Sequence, residues 1–173
     1  GTDVLIGSAA HCTAEGSTPE GCDNESLPLG SLVDVEGASR PATLVYSSWH
    51  TMQAVGETDG DACAYNDFAL LRLDPRDHDR VNPTVPEWGG PLGLSVGARP
   101  GDTVYFYGQP NGSRATEARV EDRLGGGWTY RVRASRLGLD SGVPGDSGSG
   151  WLDPTGRAFG VLSTIGVGAS AVT

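Results

Sequence analysis

Apolar residues along the chain fall into short runs that turn-forming residues interrupt, and no run keeps a helical period. Runs of this length, rich in β-branched and aromatic residues and bounded by Gly, Pro or Asp, are typical of β-strands. The pattern therefore predicts an all-β protein with no long helix. The predicted strands are 4–6, 32–35, 42–46, 68–73, 103–107, 115–121, 128–132, 151–152 and 158–165.

The segments between these strands predict how the chain is divided. Residues 8–12 suit a single helical turn, whereas 13–26 and the Gly- and Asp-rich stretch up to residue 62 are typical of loops. The stretch 74–100 is dense in Pro and Gly and resembles a linker. We therefore expect two small barrels, covering residues 1–90 and 95–173, that together form one functional domain.

Composition and charge limit the class of function. With 173 residues, 27 of them Gly and 11 Pro, the chain is long enough for a buried core built from strands and turns. A formal net charge of −10 without a basic stripe argues against nucleic-acid binding. No apolar run is long enough to span a bilayer, so no membrane association is expected. Three cysteines, abundant glycine and the absence of lysine favour an exported protein.

The most informative stretch is the glycine-rich turn 144–150, which contains Ser147. Gly145 and Gly148 permit a tight backbone path that a residue with a Cβ would hinder. Such a turn can aim successive backbone N–H groups at one point, as stabilisation of an oxyanion requires. A serine becomes a strong nucleophile only when a base removes its proton, so the turn predicts a base elsewhere in the chain.

Two upstream motifs supply the residues that this turn requires. His11 lies in Ser-Ala-Ala-His-Cys at 8–12, and Asp67 lies at the head of the apolar run in the segment 66–73. An isolated His or Asp is usually structural, but the order His, Asp, Ser along the chain is that of chymotrypsin-type enzymes. The α/β-hydrolases place the other two residues after the serine, and their Gly-x-Ser-x-Gly motif is broken here by Ser149.

On these three motifs the chain resembles the chymotrypsin/trypsin-like serine protease family, most closely its bacterial branch. The resemblance implies a double β-barrel and a secreted serine endopeptidase that hydrolyses proteins or peptides as a monomer, without a cofactor or metal. Ser147 would be the nucleophile, His11 the general base and Asp67 the group that orients His11. The backbone N–H groups of Gly145 and Ser147 would form the oxyanion hole, and activity would rise as His11 loses its proton through neutral pH.

The resemblance also implies partners for Asp146 and for the cysteines. In the family, a new N-terminus in zymogens or an arginine in some bacterial enzymes fixes the carboxylate that precedes the nucleophile. The candidate arginines in this chain are Arg119, Arg131 and Arg133. In the family, the cysteine after the His pairs with an upstream cysteine, which we expect to lie outside this fragment. Cys12 would then have no partner in this sequence, and the remaining two cysteines would form a Cys22–Cys63 disulfide. A Cys12–Cys22 pairing is the alternative.

Substrate specificity is expected to depend on two wall segments. Ser141, six residues before the nucleophile, would lie at the floor of the primary pocket, with Asp140 next to it. Because Ser141 carries no charge, the resemblance disfavours a strict preference for Arg or Lys. Ser163, Thr164 and Ile165 would form the other wall and pair with an extended substrate. The family has Gly where this chain has Ile165, so the pocket is narrowed or the alignment shifts to Gly166.

Compared with the family, the chain lacks strands at both ends, and we expect a fragment of a longer secreted protein. The competing function is a catalytically silent binding or scaffold protein that keeps the protease fold. An intact His11, Asp67 and Ser147 favours the enzyme.

Overall fold

Short antiparallel strands provide most of the regular structure in the computed structural model, which describes residues 3–15, 20–108, 114–124, 129–135, 141–165 and, for the backbone only, 170–172. The strands form a four-stranded and a seven-stranded sheet, so the all-β prediction is confirmed. The chain divides into two compact units, Gly1–Asn82 and Pro83–Thr173. None of the helices in the described ranges is long and apolar enough to cross a membrane.

The first unit contains a four-stranded sheet in the order β1-β4-β3-β2. Its strands are β1 (Leu5–Ser8), β2 (Leu32–Val33), β3 (Ala42–Ser47) and β4 (Ala69–Arg72). All neighbouring strands are antiparallel, and the alternation of buried and less buried side chains at the start of β3 places Ala42 and Leu44 on one face. That face, together with a helix, forms a core that includes Ala42, Leu44, Trp49, Met52, Ala69 and Leu71.

Two helices occupy a region that the sequence pattern predicted as a loop, and that prediction is wrong. Helix α1 (Ser48–Val55) buries Trp49 and Met52, which are three residues apart and therefore share one helix face. It ends at Gly56, whose φ of 67° is the left-handed conformation that favours glycine. Helix α2 (Gly60–Tyr65) begins at Asp59, whose side chain accepts from the Ala62 N–H at 2.8 Å. The prediction failed because Gly56 ends one helix and Asp59 begins the next, whereas Gly and Asp are equally typical of loops.

A disulfide between Cys22 and Cys63 joins the segment before β2 to α2. This confirms the favoured pairing over Cys12–Cys22. All three cysteines lie among the described residues, and Cys12 is a free, exposed thiol. Gly21 allows the close packing next to the disulfide, because a Cβ at this position would overlap the Trp49 ring.

The residues after β4 are held to the first unit by a buried carboxylate, Asp77. Its Oδ1 accepts from the Ser39 N–H at 3.0 Å, and its Oδ2 accepts from the Arg40 N–H at 3.0 Å. These hydrogen bonds, that of the Ser39 N–H foremost, lower the pKa of Asp77. The start of the stretch that resembled a linker is therefore part of the first unit.

The second unit contains a seven-stranded sheet in the order β10-β11-β7-β6-β5-β8-β9. Its strands are β5 (Thr103–Gly108), β6 (Arg114–Leu124), β7 (Thr129–Ala134), β8 (Gly150–Leu152), β9 (Ala158–Val161), β10 (Thr164–Ile165) and β11 (Ser170–Val172). The predicted strand 158–165 is divided, because Leu162 exchanges hydrogen bonds with Ser149 and Gly148 in the serine loop. The core includes Val104, Phe106, Val120, Val132, Trp151 and Leu162, with Phe106 stacked on Trp151 at 4.7 Å between ring centroids.

Residues 88–95 also belong to the second unit and are not a free linker. Trp88 Nε1 donates to the Phe106 carbonyl at 3.0 Å. The Leu92 N–H donates to Gly156 O, and the Ala158 N–H donates to Gly93 O, both at 2.8 Å. This segment therefore lies beside β9 like an additional edge strand, which its Pro and Gly content does not predict.

Candidate active site

His11 and Asp67 meet because β1 and β4 are paired in register. Ser8, the last residue of β1, lies opposite Ala69, the first residue of β4. His11 follows β1 in a single 3₁₀ turn (Ala10–Thr13), and Asp67 lies two residues before β4. Both therefore project from the same end of the strand pair. The sheet thus positions a pair that lies 56 residues apart in sequence.

Both carboxylate oxygens of Asp67 accept a hydrogen bond from His11. The backbone N–H of His11 donates to Oδ1 at 2.8 Å, and the ring nitrogen Nδ1 lies 2.6 Å from Oδ2. The Asp67 side chain is 1% exposed and that of His11 is 27% exposed. A carboxylate that is buried this deeply requires such donors. With Nδ1 directed at Asp67, Nε2 is the nitrogen left to exchange a proton with a substrate or nucleophile.

The same contact changes the acidity of the imidazole. The hydrogen bond to the Asp67 carboxylate, followed by one with Cys12, raises the pKa of His11 from 6.5 to about 10. Burial acts in the opposite direction but is the weaker influence. The pair therefore strongly favours an imidazolium, which is the state that a general base reaches after it accepts a proton.

Ser48, the first residue of α1, holds the backbone on both sides of Asp67. Its Oγ donates to the Asn66 carbonyl at 2.7 Å and accepts from the Phe68 N–H at 2.9 Å. The Ser48 N–H also donates to the Phe68 carbonyl at 2.8 Å. Ser48 is completely buried, so these bonds are shielded from water. The sequence did not predict this role, because nothing in the local pattern relates Ser48 to a position 18–20 residues later.

In the second unit, Ser147 lies in a tight loop between Val143 and β8. Gly145 and Gly148 have φ values of 99° and 82°, which is the left-handed region predicted for these glycines. The Asp146 N–H donates to the Val143 carbonyl at 3.0 Å, and the Gly148 N–H donates to the Leu162 carbonyl at 2.8 Å. The N–H groups of Gly145 and Ser147 donate to no other residue in the part of the chain that the structure describes.

The loop is anchored from inside by Asp146, which is fully buried. Asp146 Oδ2 accepts from the Val143 N–H at 2.9 Å and from Arg114 Nη2 at 3.0 Å. The three arginines proposed from the sequence form other contacts, and those assignments are wrong. Arg119 donates to Gly101 O, Arg131 pairs with Asp122, and Arg133 pairs with Glu121.

Gly108 leaves the space that the Asp146 carboxylate occupies. A Cβ at Gly108 would lie 2.5 Å from Asp146 Oδ1. Gly108 and Arg114 are directly opposite each other in the β5–β6 pair, so one cross-strand pair both accommodates and neutralises the carboxylate. In the sequence, Gly108 is recognisable only as the end of a strand. Its position opposite an arginine could not be predicted, because it depends on the register of the hairpin.

The predicted specificity residues lie in the same unit as Ser147. Ser141 and Ser163 are buried, and Thr164 and Ile165 form β10. Strand β10 is the terminal strand of its sheet and pairs only with β11 among the described strands. Its other edge can therefore accept an extended peptide by strand addition. Asp140 and Gly166 lie outside the described residues.

The structure thus brings His11 and Asp67 into contact in the first unit and groups Gly145, Ser147, Ser141 and 163–165 in the second. The approach of Ser147 to His11 stays a prediction. Across the described ranges, no group of three or more His, Cys, Asp or Glu residues is arranged to hold a metal ion.

Comparisons with known proteins agree on one type of fold. The profile of the trypsin-like peptidase domain matches residues 1–161, whereas a search of curated proteins finds no match. Thermobifida fusca Protease A superposes with a TM-score of 0.56 at 20% identity, over 99% of this chain and 76% of that chain. The active form of the Rv3671c protease from M. tuberculosis gives 0.52 at 19% identity, over 100% and 67%. At these identities the structural similarity shows the fold alone.

Proposed function

The chain belongs to the trypsin-like peptidase domain family, and on that premise we propose that it is a secreted serine endopeptidase with His11, Asp67 and Ser147 as its catalytic residues. The family assignment confirms the resemblance carried by the three sequence motifs. The single observation that best supports catalysis is the buried Asp67 carboxylate, which receives both the backbone N–H and the Nδ1 of His11. This arrangement favours the tautomer in which Nε2 can act as a base.

In the proposed reaction, Ser147 Oγ attacks the carbonyl carbon of the scissile peptide bond. Nε2 of His11 accepts the hydroxyl proton and then transfers it to the leaving amine, which yields an acyl-enzyme and the first product. Water then attacks the ester with His11 again as the base, and Ser147 is regenerated. Asp67 stays ionised throughout and stabilises the imidazolium, which the raised pKa of His11 reflects.

The proposed oxyanion hole consists of the backbone N–H groups of Gly145 and Ser147. Support comes from the loop itself, whose other N–H groups, those of Asp146, Gly148 and Ser149, already donate to carbonyl oxygens. The ion pair between the buried Asp146 and the partly exposed Arg114 holds this loop in place before any substrate binds. Donors that are positioned in advance need no reorganisation when charge develops on the substrate oxygen.

A secreted location and protein substrates belong to the same proposal. The Cys22–Cys63 disulfide supports an oxidising compartment, in which such bonds persist. The open edge of β10 supports an extended polypeptide as the substrate, because main-chain hydrogen bonds to an edge strand require an extended partner.

A fluorophosphonate probe tests the function, because it phosphonylates a serine only when a base activates it. We expect covalent labelling of the wild-type protein and none of Ser147→Ala, measured by intact-protein mass spectrometry. His11→Ala should reduce the labelling rate by at least about 10³-fold. Wild-type protein that is folded by circular dichroism and yet unlabelled would support the competing function, a silent binding or scaffold protein.

A further inference from the structure

The two wall segments beside the serine loop touch each other through apolar side chains. Gly142, next to Ser141, is buried and faces Leu162 and Ile165. A Cβ on Gly142 would lie 2.7 Å from Leu162 Cδ2 and 3.1 Å from Ile165 Cγ2. The space beside the Gly142 backbone is therefore filled by Leu162 and Ile165. A large side chain entering there would have to displace Leu162 or Ile165.

Of these two residues, Ile165 is the one that can control entry. Leu162 is fully buried and belongs to the core of the second unit, so its position is fixed by Val104, Phe106 and their neighbours. Ile165 is 41% exposed and ends β10, the strand with the open edge. An isoleucine has a stiff, branched Cβ and cannot fold away easily from a strand. Ile165 therefore covers Gly142 on one side and is exposed to solvent on the other.

The described wall residues also offer no charge to a basic side chain. Ser141, Gly142, Val143, Ser163 and Thr164 are uncharged, and the nearby Asp146 is already paired with Arg114. Among the described residues, a buried arginine or lysine would therefore have no ionic partner on these walls, which is unfavourable.

We propose that Ile165, seated on Gly142, closes the primary pocket so that the enzyme cleaves after small residues such as Ala, Gly or Ser. This inference rests on the proposed function, since it assigns a substrate class to the same site. A pocket that excludes side chains by size discriminates by about 10–200-fold for each methylene-sized step. The enzyme should therefore prefer Ala to Leu, Phe or Arg at the cleavage position by at least about tenfold.

The test uses four peptide substrates that differ only at the residue before the cleaved bond, with Ala, Leu, Phe or Arg. For the wild type, kcat/KM should be highest with Ala. In Ile165→Gly, the ratio of kcat/KM with Leu or Phe to kcat/KM with Ala should rise by about tenfold or more. Ile165→Val keeps a branched side chain and should show a smaller shift in the same direction. Val96→Gly, an exposed apolar residue of the same unit, is the matched control and should keep the wild-type order.

Labelling by the fluorophosphonate separates the possible failures. Labelled enzyme that prefers Leu, Phe or Arg, or an order of preference unchanged in both Ile165 variants, overturns the size restriction and leaves the proposed function standing. Folded protein without labelling overturns the proposed function, and the specificity falls with it. If Ile165→Gly fails to fold, Ile165→Val decides the question.

Discussion

At the scale of single residues, the site depends on carboxylates that have been removed from water and then supplied with donors. Asp67 receives two hydrogen bonds from His11, and Asp146 receives one from Val143 and one from Arg114. A buried carboxylate without such partners would be protonated or would disrupt the fold. The hydrogen bonds of Asp67 therefore fix His11, and those of Asp146 fix the loop that contains Ser147.

The raised pKa of His11 predicts the pH dependence of catalysis. His11 must be neutral to act as a base, so kcat/KM should rise with pH through the pKa of the free enzyme. Because the Asp67 hydrogen bond raises that pKa from 6.5 to about 10, the rise should lie on the alkaline side of 6.5. In Asp67→Asn the rise should move towards pH 6.5, with kcat/KM lower by about 10³–10⁴-fold. A pH–rate profile that is the same in both proteins would contradict this role of Asp67.

The same shift has a consequence for stability, and its sign follows from linkage. The folded protein holds the His11 proton more tightly than the unfolded chain does. The contribution to the free energy of unfolding is therefore complete below pH 6.5 and disappears as the pH rises through about 10.

At the scale of secondary-structure elements, the start of α1 acts on the residues that precede β4. Ser48 Oγ bonds to the residues before and after Asp67, so α1 fixes the carboxylate through its neighbours in the chain. Ser48 is therefore a positioning residue. The adjacent Ser47 is equally buried, but its Oγ has no hydrogen-bond partner among the described residues. The two serines provide a natural comparison.

We expect Ser48→Ala to lower kcat by about tenfold or more, with KM nearly unchanged, because a loosened Asp67 no longer orients His11. The two unsatisfied backbone groups should also lower the free energy of unfolding by about 1–3 kcal/mol. Steady-state kinetics and urea unfolding measure these effects. Ser47→Ala is the control and should stay close to the wild type in both. Equal effects in the two variants would show that Ser48 contributes only packing.

The elements also show how far the sequence predicts the fold. Strands such as β5 and β6 were predicted within a few residues, because alternate side chains are buried along them. Helices α1 and α2 were missed, since they are short and are bounded by Gly56 and Asp59, which are equally common in loops. His11, Asp67 and Ser147 lie in recognisable local motifs. Ser48, Gly108 and Arg114 do not, because their contacts depend on register and packing between distant segments.

At the scale of the whole chain, the two units differ in how they are stabilised. The second unit has the larger sheet and an aromatic core around Phe106 and Trp151. The first has four short strands and a covalent link, the Cys22–Cys63 disulfide. A small apolar core is commonly supplemented in this way in exported proteins.

Reduction of this disulfide should destabilise the first unit. Its cysteines are 41 residues apart, for which the loss of chain entropy in the unfolded state corresponds to about 4 kcal/mol. Urea unfolding followed by tryptophan fluorescence, to which the buried Trp49 contributes, should show a lower midpoint for Cys22→Ala/Cys63→Ala. Cys12→Ala is the control, since the free Cys12 thiol contributes no such constraint. Coinciding curves for the double variant and the wild type would refute the prediction.

The cross-strand pair of Gly108 and Arg114 offers a criterion for sorting related sequences that the His, Asp and Ser motifs do not provide. A gene can encode the His, Asp and Ser motifs intact and still specify a side chain where Gly108 stands. Because a Cβ there would lie 2.5 Å from the Asp146 carboxylate, such a product must shift this carboxylate or the loop that carries it. We therefore expect active and inactive proteins of this fold to differ first in the residues at the end of β5 and the beginning of β6.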